Sequence, residues 1–294
     1  MSDTEENFDK STQEVKKTLL EPKTYGEILE EQIESGLREH QRSNASLFLS
    51  GISAGLEVGF SVFLMGVIYT MFFETYSEAG MHTALALSYP LGFIFVVIGR
   101  SELFTEHTTL AVVPVLNGNS SVLSLLSLWG VVLMVNLIGG YFFGFTITLI
   151  APAMGIISYD AFLHLAEKMV DYEWQIILGS AIMAGWLMGL LSWLMNSSKD
   201  TISRIFMIIL VTSTIGIGGL HHSVVGSIEV FTGLITSAEI TIKEYLQFQG
   251  LATLGNIIGG VFFVAIVKFS HVKKKIKKLH MHDQQDQKKN ESDK

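Results

Sequence analysis

The chain has 294 residues, 49% of them hydrophobic, and a mean hydropathy of +0.41, which excludes an ordinary water-soluble domain and predicts an integral membrane protein. The net charge of -8 comes mostly from residues 1–45, where eleven Asp and Glu outnumber six Lys and Arg. With no cysteine, disulfides and thiolate metal sites are excluded; no cofactor, metal site or nucleic-acid partner is expected.

In chain order, residues 1–45 are charged throughout, so no secretory signal peptide is expected and the segment is predicted to stay in the cytoplasm. Within it, residues 24–42 place Ile28, Leu29, Ile33 and Leu37 near helical spacing with acids between them. That pattern predicts an amphipathic helix lying against the base of the bundle or a neighbouring subunit. The alternative is a charged tether. A first apolar block, Ser46–Phe73, carries only Glu57. A second covers 84–116 and is interrupted by charges at 100–107. Ser120–Ser158, Gln175–Ser198, Ile205–Leu220 and Tyr245–Val267 carry no charge. A span needs about 20 residues, so these blocks predict six transmembrane helices over residues 46–270, the second and fifth discontinuous.

The cations set the expected orientation. Six lie before the first span, Lys199 and Arg204 lie between the fourth and fifth, and nine follow from Lys268 onward, while the other side has only Lys168 and Lys243. Both termini are therefore expected in the cytoplasm. The basic tail at 271–294 begins with the run Lys273–Lys278, suited to anionic lipid headgroups.

Two interruptions carry the polar chemistry. Residues 98–109 hold Arg100, Glu102, Thr105 and Glu106, and residues 218–232 hold His221, His222, Glu229 and Thr232. Irregular backbone and charge at membrane depth are tolerated only where protein or water shelters them, so the two breaks point to a permeation path. They share the pattern Glu102-Leu-Phe-Thr105 and Glu229-Val-Phe-Thr232, read here as matched cores. The third helix of each half repeats as well, with Asn136-Leu-Ile-Gly-Gly140 and Asn256-Ile-Ile-Gly-Gly260. Three spans per half force opposite orientations, which predicts a 3+3 inverted repeat whose breaks meet near mid-bilayer.

His221 and His222 are adjacent, so helical geometry would separate their side chains by about 100° and let only one face a lumen. Glu57, Glu102, Glu106, Glu229 and Arg100 lie at apparent membrane depth, where ion pairs are expected; Arg100 is read chiefly as a loop-holding partner for a carboxylate. Leu103 with Phe104, and Val230 with Phe231, are candidates for two apolar constrictions. Thr105 and Thr232 offer hydroxyls beside them. The paired glycines at 139–140 and 259–260 are expected to pack helices closely.

At these motifs the chain resembles the formate/nitrite transporter family, over roughly residues 44–270; Arg100, Glu106, Glu229, Glu57 and the long acidic N-terminus look more like its YfdC-type branch. The resemblance implies an aquaporin-like homopentamer in a bacterial inner membrane, with one pore per six-helix protomer. Ser101-Glu-Leu-Phe-Thr105 resembles the family's loop in the second helix, which implies that Thr105 is the loop threonine and that Leu103 and Phe104 are constriction residues. Gly219-Leu-His-His-Ser-Val224 is similar to the motif that carries the central pore histidine, and places that role at His222. Gly255-Asn-Ile-Ile-Gly-Gly260 implies a pore-facing amide at Asn256. Lys168 lies near the family's vestibule lysine. The chain departs from the pattern at His221, where the family has Glu, at Val225–Val230, where a pore asparagine is missing, and at Ala184-Gly185, where Cys-Asn is common. The expected function is a channel or transporter for small monovalent anions such as formate or nitrite, crossing as neutral acids through His222. Extra carboxylates leave a cation or neutral solute as the alternative. No enzyme is expected, since neither His-Glu-x-x-His nor Gly-x-Ser-x-Gly occurs.

Overall fold

A computed structural model describes residues 22–267 together with 269 and 270, and these form helices without any strand among them. The first 21 residues and the basic run Lys273–Lys278 lie outside the described residues. Helix α1 covers Tyr25–Gln41, α2 Asn44–Phe72, α3 Glu78–Ser88 and α4 Pro90–Gly99. Two short helices follow, α5 at Phe104–Leu110 and α6 at Val112–Leu116, before the long α7 at Val122–Ala153. The second half has α8 at Tyr159–Val170, α9 at Trp174–Ser197, α10 at Thr201–Ile217, α11 at Val225–Thr236 and α12 at Ile242–Ile258; α12 runs on into a π-helical stretch, Gly259–Ile266.

Helix starts follow local chemistry. Side chains of Ser43, Ser77, Ser121, Ser158 and Asp200 cap α2, α3, α7, α8 and α10, accepting from backbone N–H groups left free by the first turn. Thr24 with Glu27 and Thr241 with Glu244 form reciprocal capping boxes on α1 and α12. The Asp200 carboxyl is held below its usual value by the N–H and hydroxyl of Ser203, its capping partner.

Four helical stretches are long and apolar enough to cross a membrane: α2, Glu78–Gly99 formed by α3 with α4, α7, and α9. The remaining apolar blocks occur as α10 with α11 and as α12 with its π-helical continuation. Leu49, Phe142, Leu149, Leu210 and Phe262 point outward and form part of an exposed apolar surface. Inside, glycine lets backbones touch. A Cβ at Gly55 of α2 would run into the Asn136 carbonyl of α7, and one at Gly139 into the Ile52 carbonyl. In the other half, Gly185 of α9 and Gly259 stand in the same relation to Asn256 and Ile182. The close helix packing expected of the paired glycines is thus present in both halves.

Helix α1 spans the segment expected to be amphipathic, with Ile33 and Leu37 only partly buried. It buries Ile28, Leu29, Gln32 and Gly36 against the α5–α6 region and α9. At Gly36 any Cβ would meet the Leu110 carbonyl. His40 adds ring contacts to the Ala111 carbonyl at 2.9 Å and the Ser124 hydroxyl at 2.8 Å, and Lys23 donates to the Asn196 carbonyl at 2.8 Å.

Candidate functional site

Each interruption begins with the same helix ending. Arg100 N–H donates to Val97 O and Ser101 N–H to Val96 O; in the second half Gly219 donates to Gly216 O and Leu220 to Ile215 O. This paired pattern closes a helix through one left-handed residue. Those residues are Arg100, at φ 60°, and Gly219, at φ 58°.

Each loop is then clamped by a serine from the first long helix of its half and an asparagine from the last. Glu102 N–H donates to Ser50 Oγ at 3.1 Å; His221 N–H donates to Ser180 Oγ at 3.0 Å. The Asn136 amide donates to Gly51 O and Glu102 O and accepts from Phe104 N–H, at 2.8 to 2.9 Å. The Asn256 amide donates to Ala181 O at 2.8 Å and His221 O at 3.0 Å, and accepts from Ser223 N–H at 2.8 Å. Atom for atom, Glu102 is therefore the counterpart of His221, and Leu103 of His222. This corrects the pairing of Glu102-Leu-Phe-Thr105 with Glu229-Val-Phe-Thr232, because residues 229–232 lie inside α11 beyond its break. Thr232 behaves accordingly, its hydroxyl donating to Glu229 O as in an ordinary helix. The Asn256 amide, which the resemblance places facing the pore, spends both of its N–H groups on backbone carbonyls.

The first turn of α5 meets the second loop at a buried contact. Thr105 Oγ1 and His222 Nε2 lie 2.7 Å apart, and both residues are fully buried. His222 Nδ1 faces the N–H groups of Val224 and Val225 at 3.3 Å, standing as a side-chain cap at the start of α11. An Nδ1 that accepts leaves the ring hydrogen on Nε2, so His222 donates to the threonine oxygen. The hydroxyl hydrogen of Thr105 is then free for another acceptor. Phe93 stands edge-on to the imidazole, with centroids 5.2 Å apart and planes at 90°. Sequence reading missed Phe93, Ser50 and Ser180, since an aromatic within an apolar run and serines within spans carry no signal of their own.

Leu103 and Phe104, which precede Thr105 in the chain, are buried. Phe231 is only half-buried and packs against the Tyr141 ring at 4.6 Å and over Gly144, a place in the helix interface that corrects its expected role as a constriction. His221 and His222 lie in the irregular stretch before α11, so helical geometry does not set their directions; His221 has partners of its own, its Nδ1 meeting Ser180 Oγ at 2.8 Å and Tyr172 lying edge-on at 5.6 Å.

The acids divide between two environments. A cavity of about 460 Å³ is lined by Glu229, Lys168, Glu78, His82, Tyr89 and Gly219 among others. In its wall the Lys168 ammonium, on α8, is pushed down from its usual value by burial and drawn back up by the Glu229 and Glu78 carboxylates. Glu102 instead forms an ion pair with Arg42, at the end of α1, and lies 2.6 Å from His107 Nε2. Glu102 and Glu229 thus have separate partners and do not share a site across an axis. Arg100 is exposed and makes no ion pair among the described residues, so it neutralises neither acid; its place is the left-handed helix end. Glu57 accepts from Ser53 at 2.7 Å, and Glu106 is half-buried in the first turn of α5.

Fold and site together define an all-helical membrane protein in which two helix interruptions are joined by a buried threonine–histidine contact. Comparison with known proteins is specific. The model of the formate/nitrite transporter family matches residues 26–270, and the chain belongs to that family. A relative, the inner membrane protein YfdC of Escherichia coli K12, is 31% identical over 243 residues, covering 82% of this chain and 76% of its own. Among solved structures, an FNT family ion channel superposes with a TM-score of 0.73 at 18% identity, covering 83% of this chain and 98% of its own. A pentameric formate channel with formate bound does so with a TM-score of 0.65 at 21% identity, covering 78% and 97%.

Proposed function

We propose that the chain is a pore for small monovalent anions such as formate or nitrite. In this reading it has six spans in a 3+3 inverted repeat, residues 46–270 form the pore domain, and the second and fifth spans are broken at 100–103 and 218–224. The family membership and the equivalence of the two clamps support this reading. The relatives support a homopentamer in a bacterial inner membrane. Both termini face the cytoplasm, by the distribution of cations. A pore needs no catalytic group, and the family is one of transporters.

The observation that carries the function is the Thr105 Oγ1 to His222 Nε2 contact between the start of α5 and the second break. A solute gathered in the cavity near Lys168 meets, beyond it, a hydroxyl whose hydrogen is free because the imidazole occupies its oxygen. The ring takes up one proton from water as it passes another through that hydroxyl to the anion, so it ends neutral, and the solute crosses between Leu103, Phe104 and Phe93 as a neutral acid. A neutral solute avoids the cost of a bare charge in an apolar passage.

Flux into proteoliposomes with formate, nitrite and monovalent cations tests the reading. His222→Ala is expected to change anion flux or its pH dependence at least about tenfold, the scale of a lost acid–base group, while His221→Ala changes it less. Wild-type conduction by both variants would overturn the relay. A second reading, cation permeation, is favoured by the carboxylates of Glu229 and Glu78 in the cavity wall. A reversal potential following the cation gradient would decide for it, and Glu229→Gln would then abolish the current.

A further inference from the structure

The end of α1 and the start of α5 bring together a group of side chains that the pore reading does not use. Glu39 of α1, Glu102 of the first loop and His107 of α5 each present a donor atom, and these atoms lie within 4.8 Å of one another. Glu102 and His107 are buried, and Glu39 nearly so. Arg42 joins Glu102 directly and approaches Glu39 at 3.5 Å.

The charges do not balance. Two carboxylates against one guanidinium leave a net charge of -1 when the imidazole is neutral, and an uncompensated charge in such surroundings is costly. Hydrogen bonding is incomplete as well. Although His107 Nε2 lies 2.6 Å from Glu102 Oε2, the approach is not aligned as a hydrogen bond. Glu102 Oε2 and His107 Nδ1 are buried without a hydrogen-bond partner among the described residues, and Nδ1 faces Glu39 Oε2 at 4.0 Å. Two carboxylate oxygens and an imidazole nitrogen, unaccompanied by thiol, suit a divalent first-row cation with open positions for water.

We propose that Glu39, Glu102 and His107 form a binding site for a divalent cation of the Mn²⁺, Fe²⁺ or Zn²⁺ class, tying α1 to the first pore loop. Metal–ligand bonds near 2 Å place tetrahedral donors roughly 3.3 Å apart, so the three groups need to close by about 1.5 Å or less. Arg42 is the competing cation. Its guanidinium already donates to Ser46 Oγ, through Nε at 3.3 Å and a terminal nitrogen at 3.2 Å, and this second partner holds it when the metal takes the carboxylates. The site was invisible in the sequence because its ligands are 63 and 5 residues apart, at positions 39, 102 and 107, with no metal-motif spacing.

Binding of Zn²⁺ and Mn²⁺ to the full-length protein in detergent tests this, read by isothermal titration and by the visible spectrum of bound Co²⁺. The tail residues His280 and His282 offer a competing site, so every protein measured carries His280→Ala and His282→Ala. One ion per chain is expected, with affinity lowered at least about tenfold by Glu39→Gln or His107→Ala, losses on the scale seen when metal-site groups are removed. Arg42→Gln is expected to tighten binding, since it removes the competitor. A purely structural ion-pair cluster would not do so. Absence of saturable binding with and without Arg42→Gln overturns the proposal, as does binding unchanged by Glu39→Gln and His107→Ala. If His107→Ala fails to assemble, the opposite expected directions of Glu39→Gln and Arg42→Gln decide.

Discussion

The two interruptions share a backbone and differ in what they carry. Each ends its helix on a left-handed residue, receives a serine from the first long helix of its half, and is held by an asparagine from the last. At equivalent positions, however, one loop presents Glu102 and Leu103 and the other His221 and His222. The first loop is tied by Arg42 and His107 to the helix that precedes the bundle. The second is closed in by Ser180 and the rings of Tyr172 and Phe248, all neutral. A duplicated frame thus supplies the geometry, and substitutions at matched positions supply an acid–cation cluster in one half and an imidazole in the other. The two halves differ where the side chains leave the clamp, while the clamp itself is the same in both.

The strongest way to break this comparison is to remove a clamp. Asn136→Leu and Asn256→Leu each strip three hydrogen bonds from buried backbone, and at about 1–3 kcal/mol for each buried group left unsatisfied the loss is roughly 3 kcal/mol or more. Both variants are expected to lower the thermal stability of the detergent-solubilised protein by similar amounts. A loss at one position and tolerance at the other would show that the two loops are held by different means.

Next in size is the helix contact behind each clamp. Gly55→Ala and Gly185→Ala each push a methyl into the carbonyl of the clamping asparagine, and overpacking of this kind costs typically 1–3 kcal/mol. The expected readout is a matched fall in melting temperature, because the two contacts are equivalent. Gly130→Ala serves as the control, having no atom close enough to meet the added carbon; it should be neutral or slightly stabilising.

Much of the frame was legible in the sequence, for a physical reason. Span length, charge-free blocks and the repeated Asn-x-Ile-Gly-Gly pattern all report on the backbone, which must satisfy its hydrogen bonds and pack without water's help. Thr105 and His222 each stood out as polar groups in an apolar block, but nothing in the sequence paired them, and the choice of His222 over His221 came from the family resemblance. What failed was the alignment of the two breaks. Glu102-Leu-Phe-Thr105 resembles Glu229-Val-Phe-Thr232 in letters, yet the backbone sets the true register at His221, where no letter matches. The role of Arg100 failed likewise, because a positive φ leaves no mark in a sequence when the residue is not glycine. The Glu39–Glu102–His107 group depends on how α1 docks, and only tertiary structure brings those residues together.

That left-handed position gives the finest test of the comparison. Gly219 adopts φ 58° without a side chain to resist it, whereas Arg100 holds φ 60° with a Cβ. For residues other than glycine this conformation costs roughly 1–2 kcal/mol, although glycine gives back about 0.5–1 kcal/mol through the greater freedom of the unfolded chain. Arg100→Gly is therefore expected to stabilise the protein by about 1 kcal/mol or less, and Gly219→Ala to destabilise it by about 1 kcal/mol. The signs are opposite even though the positions are equivalent, because only one of the two carries the strain. Arg100 is exposed and makes no ion pair among the described residues, so its removal takes no salt bridge with it. A clear loss of stability in Arg100→Gly would mean that the guanidinium supports the loop through a contact strong enough to outweigh the backbone strain, and the two breaks would then differ in their frame as well as in their chemistry.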